Sequence, residues 1–171
     1  MQLFTKLTTS SAAALCLLFI QPVSAEDAKL SAQDRKFMMD AAKGGMMEVN
    51  AGKLALKNGS SAATKSYGQR LIDDHTQANN ELMALAKQKG VTLPSDTGAV
   101  PKGLNGRMGP DFDREFARLA VSDHQKDIAE FEKEANSGTD PDVKAWASKT
   151  LPTLHSHLDA AKGLTGSTGG Q

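Results

Sequence analysis

Cysteine is almost missing from this sequence, and the single one, Cys16, lies in an N-terminal stretch that reads as a leader. With that stretch removed no thiol remains, which excludes disulfides, thiolate catalysis and zinc–thiolate sites. Aromatics are scarce at 5% of the chain, with one Trp and one Tyr. An excess of either charge is also absent, since 20 Lys and Arg face 20 Asp and Glu. Such a balance lacks the basic surface of a nucleic-acid binder, so no nucleic-acid partner is expected. No apolar run after the leader is long enough for a transmembrane segment. No Ser stands in a strained elbow turn, and the glycines from Gly98 to Gly109 follow no strand, so neither a nucleophile elbow nor a phosphate loop is present.

The leader has the parts of a signal peptide. Lys6 is the only charge in the first 25 residues, Ala12 to Ile20 are mainly apolar, and Val23-Ser24-Ala25 offers small residues at the cleavage positions. Cys16 does not sit in a lipobox, because Ala13 and Leu15 precede it and apolar residues follow, so lipidation is not expected. Cleavage after Ala25 removes 25 of 171 residues and leaves 146, enough for one domain with a sizeable core. It also removes Lys6, leaving 19 basic and 20 acidic residues, a net charge of −1. The mature protein is expected in the periplasm or outside the cell. The predicted organisation is a signal peptide over 1–25, a helical bundle over 26–163 and a disordered Gly/Ser/Thr-rich tail over 164–171.

What is plentiful is Ala, Leu, Met, Lys and Glu, a helix-forming composition. Helices are predicted over about 31–58, 61–89, 110–137 and 141–163. Ser31 caps the first, with Asp34 three residues on as a capping-box variant, and Asn58-Gly59 ends it. Pro141 suits the first turn of the fourth helix, while Pro152 lies inside it and predicts a kink. The first and third connections are a few residues long and imply antiparallel neighbours. The middle one is long enough to cross the length of a bundle, which would make the second and third helices parallel. The fold expected is therefore all-α, a four-helix bundle of ferritin-like topology with its long crossover between the second and third helices.

Four histidines remain in the mature chain, and their helical phase separates them. His124 is centred on its apolar stripe, with Ala120 and Ile128 four residues either side. His75 faces inward four residues after Leu71. His157 and Glu48 lie nearer the stripe edges, and His155 points toward solvent. At about 1.5 Å per residue, the crossover topology puts Glu48, His75, His124 and His157 at nearly one level in the middle third of the core. Asp127, three residues after His124, and Asp74, beside His75, are within reach of that level. Gly44, Gly45, Ala51 and Gly52 are read as leaving room around Glu48. Buried imidazoles and carboxylates require partners. Either a metal ion supplies them, or a neutral hydrogen-bonded network does.

At these residues the chain resembles a family of exported bacterial proteins of unknown function, often labelled as outer membrane proteins and placed among ferritin-like bundles. The matching text is Phe37-Met-Met-Asp-Ala-Ala-Lys-Gly-Gly-Met-Met-Glu48-Val, Gly52-Lys-Leu-Ala, Asp73-Asp-His75-Thr-Gln-Ala-Asn, Phe112-Asp, Asp123-His124-Gln-Lys-Asp127-Ile and Leu151-Pro-Thr-Leu-His-Ser-His157-Leu. The resemblance spans nearly all the mature chain and implies the fold but no activity. The outer-membrane label does not suit the residues, which show no alternating strands.

Di-iron bundles carry Glu-x-x-His on two helices, and this chain has none. It has the reversed His124-x-x-Asp127, and Leu154 stands where an acid would precede His157. The set Glu48, His75, His124, Asp127 and His157, with Asp74 as a sixth candidate, fits a single Zn, Cu or Ni ion better than iron. The pairs Met38-Met39 and Met46-Met47 read as core fillers. Three functions stay open: a non-catalytic exported bundle binding a metal ion or an envelope protein partner, a metal-dependent redox enzyme, and a structural bundle with an internally satisfied polar core. With no complete catalytic set, the first is the expectation.

Overall fold

A computed structural model describes residues 30–96 and 98–168. The expected signal peptide lies outside them. Four helices make up the fold: α1 (Ala32–Asn58), α2 (Ala62–Gln88), α3 (Gly109–Ser137) and α4 (Pro141–Thr168), with no strand among the described residues. All four predicted helices are present with boundaries close to those expected. The Ser31–Asp34 capping box forms as read, with each residue bonding the other's backbone N–H.

Two of the sequence expectations need correction. The tail does not begin at residue 164, because α4 continues to Thr168 and Leu164 is buried at 7% exposure against the core. Residues 169–171 lie outside the described part. Of the α1 glycines expected to leave room around Glu48, Gly44 borders open space, but Gly45 and Gly52 do not. A Cβ on Gly45 would stand 2.2 Å from Asn79 Oδ1, and one on Gly52 would stand 2.5 Å from the carbonyl oxygen of Gly68. These glycines let α1 and α2 approach closely, and the space is filled by α2. α4 remains helical on both sides of Pro152, which faces outward and supplies no N–H to the turn before it.

α1 packs mainly on α2, and α3 on α4. Two buried carboxylates lock these hairpins together. Asp34 of α1 accepts hydrogen bonds from the backbone N–H groups of Thr139 and Asp140, in the α3–α4 turn. Asp113 of α3 accepts from the N–H groups of Ser60 and Ser61 and from the Ser60 hydroxyl, in the α1–α2 turn. The start of α3 therefore lies beside the end of α1, so α2 and α3 run parallel and the segment between them crosses the length of the bundle. Asn50 holds that segment by donating to Asp96 Oδ1 and the carbonyl of Ala99, and the segment's own Leu104 is fully buried in the core.

The core falls into two apolar halves. One is built around Phe37, Met38, Leu82, Phe131 and Trp146. The other is built around Tyr67, Leu71, Phe112, Phe116 and Leu164. Along α1, α2 and α3 the two halves are separated at Glu48, His75 and His124. A polar layer therefore crosses the middle of the bundle.

Candidate metal centre

His75, His124 and His157 come together in that layer. Each offers one ring nitrogen, and these three atoms lie within 4.8 Å of one another. His124 and His157 are fully buried and His75 is 7% exposed. Ring centroids are 5.9 Å apart for His75–His124, 5.2 Å for His75–His157 and 5.2 Å for His124–His157. His155 is exposed, as its helical phase indicates.

The outer partners of two rings set their orientation. His124 Nδ1 stands 2.9 Å from the carbonyl oxygen of Ala120, which can only accept, so Nδ1 carries the proton. Nε2 of neutral His124 is then a lone pair. His157 Nε2 stands 2.7 Å from Asp74 Oδ2, and a carboxylate there also takes an N–H. Nδ1 of neutral His157 is likewise a lone pair. These two lone pairs face each other across 3.2 Å. Nitrogens bound to a tetrahedral zinc ion at about 2.0–2.1 Å lie roughly 3.3–3.4 Å apart. The facing pair already has that spacing, and His75 Nε2 is buried with no hydrogen-bond partner.

Electrostatics favours neutral imidazoles. Burial first, and then the neighbouring His157, lower the pKa of His124 to about 4 against the opposing Ala120 carbonyl. His75 is held well below the usual value by burial and by the other two rings. For His157 burial again dominates and lowers the pKa, with Asp74 pulling back toward the charged form. Unprotonated nitrogen is the metal-binding form.

The carboxylates expected in the site occupy different places. Glu48 is buried at 5% exposure in the same layer, but it does not join the three nitrogens within 4.8 Å. Burial, then the charges of Asp127 and Asp123, push its pKa up to about 8, so it is mainly protonated at neutral pH. Asp127 lines a narrow cleft that also reaches His75, and burial with Asp123 and Glu130 raises its pKa to about 7. Asp74 lies outside the triangle, on the far side of His157, where Arg70 Nε also contacts it at 3.3 Å. Sequence reasoning missed Tyr67, whose hydroxyl is buried without a partner and whose ring centroid is 6.2 Å from that of His157. It reads as one more apolar-stripe residue, and its helical phase carries no other signal.

Comparison with solved structures supports the fold alone. A DUF305 fragment from Deinococcus radiodurans is similar with a TM-score of 0.70 at 15% identity, covering 80% of this chain and 97% of that one. A protein described as a candidate spore coat protein of Bacillus halodurans C-125 gives 0.70 at 15%, covering 84% and 92%. A conserved hypothetical protein from Mycobacterium tuberculosis gives 0.64 at 14%, covering 77% and 96%. No curated protein matches. Residues 20–164 match the family described as "Domain of unknown function (DUF4142)", and the chain belongs to that family.

Proposed function

We propose that this protein binds one transition metal ion in the cell envelope through His75, His124 and His157, and that it acts by binding rather than by catalysis. The observation that carries the reading is the convergence of three buried imidazoles, two of them with facing nitrogens left as lone pairs by their outer partners and the third, His75, with Nε2 unpartnered. Three neutral nitrogens suit Zn, Cu or Ni better than iron. Glu48 is the nearest fit for a fourth ligand, reached by losing its proton when a cation enters.

Binding rather than turnover is supported by the enclosure of the cluster. A cavity of about 570 Å³ on the bundle is lined by none of the three histidines. The cleft that reaches His75 holds only about 30 Å³, the share of one water molecule. Placement in the envelope rests on the leader over residues 1–25.

A second reading rests on the same contacts. One proton between His124 and His157, making one imidazolium opposite Asp74, would satisfy both rings with no metal. The test is equilibrium titration of the untagged mature protein with Zn(II), Cu(II), Ni(II) and Co(II), followed by elemental analysis. One ion per chain, lost in His124→Ala and His157→Ala, supports the metal reading. No binding by wild type, with both variants merely less stable, establishes the internally satisfied core.

A further inference from the structure

The cleft beside His75 touches all four helices. α1 contributes Asp40 and Gly44, α3 contributes Asp127 and Glu130, and its inner wall includes His75 and Trp146. The carboxylates lining it, Asp40, Asp127 and Glu130, all come from α1 and α3. Asp40 is paired with Lys36. Lys126, the cation nearest in sequence to Asp127, is paired with Asp123 instead, which leaves Asp127 half-buried and facing the cleft without a hydrogen bond or ion pair among the described residues. An unpaired, partly buried carboxylate is costly to the fold and calls for a cation. A second observation is independent of the acidic residues. His75 is nine-tenths buried, lines the cleft, and its Nε2 has no partner.

Resting on the metal-centre reading, we infer that this cleft between α1 and α3 is the loading route, along which Asp127 draws a divalent cation in from solvent and passes it to His75. The opposite face, between α2 and α4, is not the route. There a shallow depression is lined by Asp74, Lys149 and Thr153, Lys149 is a cation paired with Glu81, and Asp74 is occupied by His157 and Arg70. Gly44 is the point at which the cleft can be closed, because a Cβ there meets nothing within 4 Å. A side chain at that position starts from a Cβ that meets no neighbour and extends into the cleft mouth.

Stopped-flow mixing of the mature protein with Co(II), read by its ligand-field absorption, tests this. Gly44→Leu is expected to slow association at least tenfold, with one ion still bound and an unchanged final spectrum. Asp127→Asn is expected to slow association and flatten its dependence on salt, again with the spectrum unchanged. Thr153→Leu, on the opposite face, should load at the wild-type rate. Wild-type rates in both cleft variants, or slowing by Thr153→Leu alone, would overturn the route while leaving the site. A changed spectrum in Asp127→Asn would make Asp127 a ligand and also overturn it. If wild type binds no Co(II), the metal centre itself fails and the route falls with it.

Discussion

His124 Nε2 and His157 Nδ1 stand 3.2 Å apart, and each ring has its other nitrogen committed to an oxygen, of Ala120 and of Asp74. The geometry is a donor–carboxylate arrangement around a potential ligand, with Asp74 fixing which nitrogen of His157 turns inward. Asp74→Asn should therefore weaken metal binding about 10–100-fold without changing stoichiometry, measured by competition with a chromophoric chelator. A saturating ion should also stabilise the fold. At 100 times its dissociation constant the gain is about 2.7 kcal/mol, visible as a rise in melting temperature that His124→Ala abolishes.

Glu134 gives a pH dependence unrelated to the metal centre. It is 2% exposed, and burial followed by its contact with Asp34 raises its pKa to about 6, against 4.5 for an ordinary glutamate. Between those values the folded state holds more protons than the unfolded one, so stability falls as pH rises through the window. The penalty is complete above about pH 6. Glu134→Gln should gain about 2 kcal/mol at pH 8 and nothing below about pH 4, as read from urea denaturation at the two pH values.

Two glycines of α1 should respond oppositely to alanine. Gly44 faces open space, so Gly44→Ala should stabilise by about 0.5–1 kcal/mol through helix propensity. At Gly52 the new methyl would stand 2.5 Å from the backbone oxygen of Gly68. Overpacking of that kind costs about 1–3 kcal/mol, so Gly52→Ala should lower the melting temperature despite the same gain in propensity.

Asp113 is buried at 3% exposure, and although burial alone would raise its pKa, the Ser60 and Ser61 hydrogen bonds bring it below the usual value. Asp113→Ala leaves the N–H groups of Ser60 and Ser61 without that acceptor, at a cost of about 2–4 kcal/mol. Stability that depends on an ionised Asp113 is present above the unfolded pKa and lost as pH falls through the lower folded one. The deficit of Asp113→Ala, measured in urea, should therefore shrink toward acid pH.

The helices were legible because each writes its apolar period and its stops locally: Ser31 with Asp34, Asn58-Gly59, Pro141. The crossover was legible because a segment of that length has little else to do in a compact bundle. The inward phase of His75 and His124 followed from the same periodicity. Of the two carboxylates that join the hairpins, Asp34 was legible only as a cap residue, and Asp113 carried no local signal of its role. Asp34 is a capping-box residue in sequence, and nothing local indicates that it also holds a turn about 105 residues away.

The sequence by itself determined four helices, their order and the inward phase of Glu48, His75, His124 and His157, since those depend on spacing along one chain. Tertiary structure decided which of those residues meet. His75, His124 and His157 sit on three helices, so their convergence depends on axial register and rotation between helices, which Gly45, Gly52, Asp34 and Asp113 set through close packing and long-range hydrogen bonds. The same register kept Glu48 beyond the nitrogen triangle and placed Asp74 behind His157. A carboxylate's position relative to a ring is a matter of a few ångströms between elements, and helical phase alone does not specify it.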